Sequence, residues 1–374
     1  MNSIMKLQNF KCFQRQSITF RQLTLLTGVN SAGKSTIIQA LLLLQQNYPL
    51  SNEASEVVEE RANIQTDKRH KLQLSGALVN LGMYDDVLYA NADDDTFSIE
   101  LKGNTSNISL LATPDSDDTI AEWRISGSPI FENFQYLNAN RIAPQTLFPI
   151  PRIEQFKANP IGNNGEFAAY QLNRYGQSNI IHANASGPNL LAPDAPGNSI
   201  LLQMQTEAWL SQLGVPVRIN TDRPTGTDAM VLRFSFPDIS GNYYRPTNVG
   251  FGLTYTLPIF VAALRAPVGS LFIVEKPEAH LHPKGQALIG HFLARAAACG
   301  VQIIIETHSD HILNGIRVAV KQAKILPDDV QINFFHQLDG KSAVRVPRID
   351  KDGHIDEWPE DFFDEWDKQL SALL

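Results

Sequence analysis

The amino-acid sequence predicts a three-layer α/β domain that is interrupted by a large insertion. Apolar strands alternate with helical segments in residues 1–50 and again in residues 246–374. The stretch between them, residues 51–245, has polar and acidic loops, short alternating segments and dense Gly and Pro, and we interpret it as an inserted β/α region. No heptad pattern persists in the sequence, so we expect no long coiled-coil arm.

The composition sets further limits. The chain has 374 residues, which suffices for one large or two modest domains. Its formal net charge of -8 argues against a generally basic surface for nucleic acid but is compatible with a local basic groove. Two cysteines, Cys12 and Cys299, are too few for a disulfide framework, so we expect a cytoplasmic protein. The longest apolar runs are far below the roughly 20 residues that cross a bilayer, so no membrane association is expected.

The N-terminal segment contains a phosphate-loop motif. Short strands are predicted within residues 5–13 and at 17–20, followed by an apolar strand at 23–27 and a helix at 35–46. That helix is apolar almost all round, so it should be buried against a sheet. Between the last strand and the helix, residues 28–35 read GVNSAGKS and fit the pattern G-x-x-x-x-G-K-[ST].

Each residue type in this loop suits the binding of phosphate. Gly28 and Gly33 permit backbone conformations that are closed to other residues and let the main chain approach an anion. The exposed amides and the positive end of the following helix attract that anion. The charge of Lys34 would bind the β- and γ-phosphates, and Ser35 would ligate Mg²⁺. The motif therefore predicts ATP and Mg²⁺ as ligands. The predicted nucleotide contacts also include Asn30, Ser31, Ala32 and Thr36.

A phosphate loop needs an acidic residue on a neighbouring strand to hold the metal, and the candidate is Glu275. This residue ends an apolar strand predicted at 271–274, about 240 residues after Lys34, whereas compact P-loop folds keep the two motifs much closer. Other strands are predicted at 96–101, 107–112, 230–236, 301–305, 330–335 and 343–349, and helices at 199–213, 257–264, 286–298, 311–324 and 361–374.

Several motifs resemble, in the right order, those of ABC-type ATPases of the SMC, RecF and OLD group. Residues 271–283, LFIVEKPEAHLHP, resemble the Walker B strand and its following loop, which is usually DEPEAHLHP. The opening KLQNFKCF, followed by LTLLTGVNSAGKST, is similar to the N-terminal strands and Walker A of that group. Residues 248–254, NVGFGLT, resemble a degenerate ABC signature, and residues 303–310, IIIETHSD, resemble the strand and switch-histidine loop.

The resemblance implies an ABC-type ATPase head, a class in which the nucleotide is held between two heads. Gly250, Gly252 and Thr254 would then contact the nucleotide of the other head, and His308 would report its γ-phosphate. We therefore expect an ATP-dependent homodimer or a higher oligomer.

Two further stretches look like a narrower subfamily. Residues 136–144, YLNANRIAP, and residues 357–364, EWPEDFFD, resemble PtuA-like ATPases of Septu and some retron antiphage systems. This resemblance implies a separate effector protein, such as an HNH-type nuclease, through which the complex could reach nucleic acid.

The sequence departs from the family pattern at the catalytic position. When the motifs are aligned on Pro277, the family Asp falls on Glu275 and the catalytic Glu falls on Lys276, which cannot act as a base while protonated. Either Glu278 or a group of a partner chain polarises the attacking water and hydrolysis is slow, or ATP binding alone is the signal. We favour slow hydrolysis, with Glu275, Glu278 and His308 as candidate catalytic residues.

Other chemistry-bearing residues have plainer interpretations. The spacing of His280, His282, His308 and His311 is compatible with zinc, but no cysteine cluster accompanies them, so a zinc site is disfavoured. Ser309 lies near two of these histidines without the strained elbow of a hydrolase nucleophile, so a catalytic triad is also disfavoured.

Some assignments stay open at this point. The Q-loop glutamine of such ATPases could be Gln73 or Gln145. The aromatic residues at 358–363 would form a clasp on the core or a docking face for a partner. The acidic tracts at 93–95 and 115–118 are expected to be solvated loops.

The hypothesis that accounts for most of these features is an ATPase that regulates a separate effector in antiphage defence. A RecF-like, ATP-gated DNA clamp is disfavoured by the acidic total and the missing arms. A scaffold that binds but does not hydrolyse ATP is favoured by Lys276. The residues after His308 suffice for two strands and two helices but not for the Toprim nuclease domain of OLD-type proteins, so cutting is expected from another chain.

Overall fold

The computed structural model describes residues 3–48, 68–103, 106–114, 119–127, 133–184, 187–237 and 241–373. The acidic tract predicted as a loop at 115–118 lies outside these ranges. The strands, in chain order, are β1 (Ser3–Phe10), β2 (Phe13–Phe20), β3 (Leu23–Gly28), β4 (Lys68–Lys71), β5 (Phe97–Lys102), β6 (Ser106–Pro114), β7 (Thr119–Gly127), β8 (Phe134–Leu137), β9 (Leu147–Pro149), β10 (Arg218–Asp222), β11 (Ala229–Ser235), β12 (Tyr243–Tyr244), β13 (Leu271–Glu275), β14 (Gln302–Glu306), β15 (Val330–Leu338) and β16 (Lys341–Arg345).

The described helices range from 4 to 16 residues. They are α1 (Lys34–Asn47), α2 (Tyr84–Val87), α3 (Ile153–Ala158), α4 (Ala168–Tyr175), α5 (Leu202–Ser211), α6 (Phe251–Arg265), α7 (Pro283–Ala298), α8 (Asp310–Lys321) and α9 (Glu365–Leu373). None of the helices in the described ranges is long and apolar enough to cross a membrane.

The chain divides into two compact units. Unit 1 comprises residues 1–21, 26–132 and 331–346, and unit 2 comprises residues 22–25, 133–330 and 347–374. The boundary near residue 132 falls inside the region that the sequence predicted as one insertion, residues 51–245.

Unit 1 is built on an antiparallel six-stranded sheet with the order β2-β1-β5-β6-β7-β4. In β1, buried and exposed side chains alternate, with Met5 and Leu7 fully or almost fully buried, because successive residues of a strand face opposite sides. The sequence predicted a separate strand at 17–20. That prediction was wrong, because these residues continue β2 and pair with β1, with Ile18 opposite Met5.

The phosphate loop leaves β3 and enters α1 within unit 1, as the sequence predicted. Helix α1 has 14 residues, and all its apolar side chains from Ile37 to Leu44 are at most 2% exposed. The polar Gln39 between them is half-exposed. The predicted burial of this helix is confirmed, because a helix that is apolar almost all round must be covered on every side. At the end of β3, the Val29 amide donates to the Phe335 carbonyl of β15 at 3.1 Å.

Unit 2 contains three parallel strands in the order β14-β13-β8. Strands β13 and β14 are buried almost throughout, as is usual for parallel strands covered by helices. Glu275 at the end of β13 lies directly opposite Glu306 at the end of β14. The carboxyl ends of both strands therefore open into loops at one edge, where Lys276 donates its amide to the Glu306 carbonyl at 2.7 Å.

Two glycines let α7 and α8 of unit 2 pack at close range. A Cβ at Gly290 would lie 2.2 Å from the Ile312 carbonyl oxygen, and a Cβ at Gly315 would lie 2.1 Å from that of Ala287. Only glycine permits such an approach of two backbones. An aromatic cluster fills the core of the same unit, with ring centroids 4.8–6.2 Å apart, and comprises Trp209, Phe260 and Phe292.

Several predicted boundaries were wrong. Helix α6 begins at Phe251 and not at 257, because the apolar run is only its buried second half. Strand β16 ends at Arg345, before Pro347, which has no amide for a sheet ladder. Helix α9 begins at Glu365 rather than 361, and its end at Leu373 is exposed.

The predicted C-terminal clasp is present in part. Phe362 is fully buried and touches Trp358, with ring centroids 5.3 Å apart, while Trp358 is 51% exposed. The guanidinium of Arg317 lies 5.6 Å from the Trp358 ring. A buried phenyl ring therefore anchors this segment, and the indole covers it from outside.

Candidate functional site

The phosphate loop has a backbone that glycine alone can supply at two points. Gly28 has φ +129° and Gly33 has φ +104°, in a region that L-residues rarely adopt. A Cβ at Gly28 would lie 1.9 Å from the Phe335 carbonyl oxygen, and one at Gly33 would lie 2.4 Å from Cζ of Phe13. Both glycines of the motif are thus required by the conformation of the loop.

Lys34 lies at the start of α1 and is only 4% exposed. Its Nζ donates to the Gly28 carbonyl at 3.0 Å and to the Val29 carbonyl at 2.7 Å, so the ammonium is held over the loop. Ser35 is exposed in the first turn beside it. A buried cation and the amino end of a 14-residue helix converge on one loop, which is an arrangement that binds anions.

The remaining loop residues divide by exposure. Asn30 and Ser31 are exposed, whereas Ala32 is fully buried. Thr36 is 7% exposed, and its hydroxyl lies 3.5 Å from the thiol of Cys12. Asn30 and Ser31 are therefore open to a ligand, while Ala32 and Thr36 pack beneath the loop.

A cleft of about 670 Å³ opens beside the phosphate loop, within unit 1. Its walls come from the β1–β2 turn, from residues 89–93 and from the β15–β16 turn. The lining residues include Lys11, Cys12, Phe13, Ser31, Tyr89, Asp93, Gln337 and Lys341. Its volume lies in the range of small-molecule sites, and it combines aromatic, cationic and acidic groups. Sequence reasoning missed this cleft, because its walls are brought together only by the fold.

A second site lies at the end of β13 in unit 2. Glu275 accepts a hydrogen bond from the Tyr136 hydroxyl at 2.8 Å on one oxygen and from the Ala139 amide at 3.2 Å on the other. Burial raises the pKa of Glu275, although these hydrogen bonds oppose the rise. Burial and the nearby carboxylate also raise the pKa of Tyr136, so its hydroxyl remains a donor.

Arg141 fixes the main chain just after β13. This residue is 3% exposed, and its guanidinium donates to the Glu275 carbonyl at 2.7 Å and to the Lys276 carbonyl at 3.1 Å. Burial lowers the pKa of Arg141 to about 10, and the charges of Glu278 and Glu275 counteract this fall. The guanidinium therefore keeps its charge at neutral pH and holds Lys276 in a left-handed conformation with φ +42°.

Glu278 is bound at both carboxylate oxygens. One oxygen accepts from the Thr307 hydroxyl at 2.7 Å and the other from the His308 amide at 3.0 Å. Thr307 is fully buried, and its hydroxyl oxygen also accepts from the Ser309 amide at 3.0 Å. The loop after β13 and the loop after β14 are thus joined by Glu278, while the His308 side chain is exposed.

The other polar residues of this region have structural partners. The Ser309 hydroxyl caps α8 by accepting from the Ile312 amide at 3.2 Å, and His282 caps α7 in the same way. His280 packs against Tyr255, with ring centroids 4.5 Å apart. Within the described residues, no group of three or more His, Cys, Asp or Glu side chains could hold a metal ion by itself.

The signature-like segment forms the amino end of α6. Gly250 is the residue before the helix, and a Cβ there would meet open space. A Cβ at Gly252 would lie 3.1 Å from the His280 carbonyl oxygen, which brings this turn against the loop after β13. Thr254 is 2% exposed, and its hydroxyl has no hydrogen-bond partner among the described residues. Phe251 is 52% exposed at the same end.

Neither Q-loop candidate gains support from its surroundings. The Gln73 backbone bonds to Asn47, and its side chain is exposed. Gln145 is half-exposed. Sequence reasoning missed the roles of Tyr136 and Arg141, although both lie in the YLNANRIAP stretch, because their partners are distant in sequence.

Family models match most of the chain in three pieces. A model described as "AAA ATPase domain" matches residues 1–143, and one described as "AAA domain, putative AbiEii toxin, Type IV TA system" matches residues 189–314. A third, described as "Protein of unknown function (DUF3696)", matches residues 325–373. The search among curated proteins found no match.

Solved structures of SMC heads are similar in fold. An SMC head bound to the C-winged helix domain of ScpA has a TM-score of 0.50 and 14% identity, covering 94% of this chain and 98% of that one. An SMC head with an extended coiled coil, bound to the C-terminal domain of ScpA derived from Pyrococcus furiosus, has a TM-score of 0.50 and 13% identity, covering 100% of this chain and 99% of that one. These likenesses confirm the predicted ABC-type head, a mixed α/β fold with sheets flanked by helices.

The fold and the two ATPase family matches support one class of protein, the ABC-type P-loop ATPases. The first ATPase match covers the phosphate loop, and the second covers the signature-like segment, Glu275 and His308.

Proposed function

We propose that this chain binds ATP with Mg²⁺ at its phosphate loop and hydrolyses it slowly. The observation that carries this proposal is the loop itself, in which Gly28 and Gly33 have positive φ angles that other residues rarely adopt and Lys34 holds its ammonium over two loop carbonyls. A triphosphate bound to the loop amides would place its nucleoside in the adjoining cleft of about 670 Å³. ATP binding would then use groups of unit 1.

The donor set suits Mg²⁺, which prefers oxygen ligands. Ser35 would hold the ion through its hydroxyl. Glu275 is the acidic residue that the family resemblance implies for the metal. When bound, Mg²⁺ neutralises charge on the phosphates during transfer. Lys34 would bind the β- and γ-phosphates. The family resemblance implies that His308, whose side chain is exposed, reports the γ-phosphate.

Slow turnover follows from the residue after Glu275. A general base must accept a proton from the attacking water, and Lys276 carries an ammonium instead of a carboxylate. Positioning and electrostatic stabilisation of the phosphates would remain, because they do not depend on that base. The hydrolysis rate should therefore lie near the low end for such ATPases.

Phosphate release from ATP tests this proposal. The wild type should release phosphate above background in the presence of Mg²⁺, and Lys34→Ala should fall to background. Lys6→Ala removes an exposed lysine of β1 in the same unit and should behave as the wild type. Equal release by the wild type and Lys34→Ala would remove the ATPase assignment and leave a scaffold.

We further propose that ATP joins two heads, with Gly250, Gly252 and Thr254 facing the nucleotide of the partner. Gly250 supports this role, because a Cβ at this position meets no atom of the described residues within 4 Å, so a clash would come from a ligand or partner. Gly214 is a matched control, since a Cβ there also meets open space. Light scattering with ATP should show dimers for the wild type and Gly214→Ala, but fewer for Gly250→Ala. A monomer under all conditions would contradict the dimer.

The role in the cell is proposed as regulation of a separate effector in antiphage defence. Support comes from the stretches that resemble PtuA-like ATPases and from the Type IV TA system named in the description matching residues 189–314. The similar SMC heads are themselves described as bound to ScpA domains, so heads of this fold can carry partner proteins. An HNH-type nuclease encoded beside this chain should co-purify with it and cut DNA less in the complex than alone. Unchanged cutting would reject the regulatory role.

A DNA clamp is the alternative that a simple assay separates from this proposal. A clamp neutralises many phosphates, so its DNA affinity should fall steeply as salt rises. For the purified chain with ATP we expect no such steep dependence, because the net charge is -8.

A further inference from the structure

We propose that Glu278 is a positioning residue that sets the main chain carrying His308, and that it is not the general base for water. This inference rests on the proposed ATPase function and assigns Glu278 a role in it. The carboxylate joins two loops: it belongs to the loop after β13, and both of its oxygens bind the loop after β14.

The geometry leaves the carboxylate little freedom. One oxygen accepts from the Thr307 hydroxyl at 2.7 Å and the other from the His308 amide at 3.0 Å. Rotating the carboxylate toward a water in another direction would break these bonds, because both oxygens are engaged. One of the donors, Thr307, is fully buried, so its hydroxyl would be left without its acceptor away from solvent. These contacts favour a carboxylate that stays in place.

The surroundings of Glu278 hold it in that orientation. Thr307 is fixed from its other side, because its hydroxyl oxygen accepts from the Ser309 amide at 3.0 Å, and Ser309 caps α8. On the other loop, Arg141 anchors the main chain at Glu275 and Lys276, ahead of Glu278. Both loops are therefore anchored to regular structure, and Glu278 fixes the position of the His308 main chain relative to them.

Charge-preserving and bond-preserving variants separate the two roles. In Glu278→Gln, the amide oxygen can still accept from His308 and the amide nitrogen can donate to Thr307, but no base remains. Thr307→Val keeps the carboxylate but removes the bond from Thr307 to Glu278 and the bond that the Thr307 hydroxyl accepts from the Ser309 amide. Thr307→Ser restores the hydroxyl. A displaced catalytic group commonly costs about tenfold to a hundredfold in rate.

For a positioning role we expect the kcat of Glu278→Gln within about fivefold of the wild type and that of Glu278→Ala at least about tenfold lower. The KM for ATP should change little, because the ground-state contacts of the phosphate loop are untouched. Thr307→Val should lose activity in the same direction and Thr307→Ser should regain it. The double variant Glu278→Ala/Thr307→Val should lose less activity than the sum of the two single losses, since the bond between the two side chains is removed by either change. Glu278→Gln as inactive as Glu278→Ala, with Thr307→Val near the wild type, would overturn the proposal.

Hydrogen exchange of the His308 amide provides a readout that needs no turnover. The amide should lose protection in Glu278→Ala and keep it in Glu278→Gln. If the wild type releases no phosphate, the hydrolysis proposal fails, and this exchange measurement still decides the positioning role. Unchanged protection in Glu278→Ala would contradict it. If Glu278→Ala does not fold, the pair Thr307→Val and Thr307→Ser gives the same comparison.

Discussion

Replacement of Arg141 should destabilise unit 2 more than the replacement of any exposed arginine. This residue is 3% exposed, and its guanidinium makes two hydrogen bonds, of 2.7 and 3.1 Å, to the carbonyls of Glu275 and Lys276. Each bond from a charged donor contributes about 1.5–3 kcal/mol, so the loss of both in Arg141→Met should lower the opening free energy by about 3–6 kcal/mol. Arg141→Lys can keep one of the two bonds and should lose about half as much.

Hydrogen exchange of the β13 and β14 amides measures this free energy for unit 2 alone. The control is Arg223→Met, whose side chain is 58% exposed, and it should change the value by less than about 0.5 kcal/mol. Lys276 adds to the effect, because its left-handed φ of +42° is held by the same guanidinium. A loss below about 1 kcal/mol in Arg141→Met would refute the reasoning that this arginine orders the end of β13.

Three other predictions follow from burial and exposure. Maleimide should modify Cys12, which lines the cleft, before Cys299, because burial raises the pKa of the Cys299 thiol to about 11. ATP should protect Cys12 from labelling, and equal labelling with and without ATP would contradict a nucleoside in the cleft. Glu275→Gln should lower phosphate release but raise the free energy of unfolding at neutral pH, because burial raises the pKa of Glu275 and the charged form costs stability. A less stable variant in urea unfolding would show that the hydrogen bonds from Tyr136 and Ala139 compensate the charge. Burial lowers the pKa of His182 below its ordinary 6.5, so the unfolded chain binds a proton at this residue more tightly than the folded chain does. The free energy of unfolding should therefore fall as the pH drops below about 6.5, and His182→Gln should show a shallower fall in a pH series of urea unfolding.

Local sequence patterns predicted the phosphate loop well. The strand before it, the helix after it and the two glycines are specified within a few residues, so the motif carries its own structural context. The same is true of β13, because an apolar run of strand length ends in a single carboxylate at Glu275. Helix α6 was harder, since Gly252 lies in its first turn and Thr254 and Thr256 interrupt the apolar pattern of its first half.

Residue roles that depend on contacts between distant parts of the chain could not be predicted from the sequence. Arg141 meets Glu275 across 134 residues, and Tyr136 meets it across 139. Glu278 was predicted as a candidate base from its proximity to Glu275 in sequence, but its bonds to Thr307 and His308 cross 29 and 30 residues. Spacing indicated which residues carry chemistry, and only the fold showed what each one touches.

Direct titration of ATP in the presence of Mg²⁺ tests the central claim, that the loop of residues 28–35 is a nucleotide site. The wild type and Lys6→Ala should bind one ATP per chain with equal affinity. Lys34→Ala should bind at least about tenfold more weakly, because it loses a charge-assisted contact of at least about 1.4 kcal/mol. Calorimetry that shows no binding to the wild type, or equal affinity for Lys34→Ala, would contradict the account.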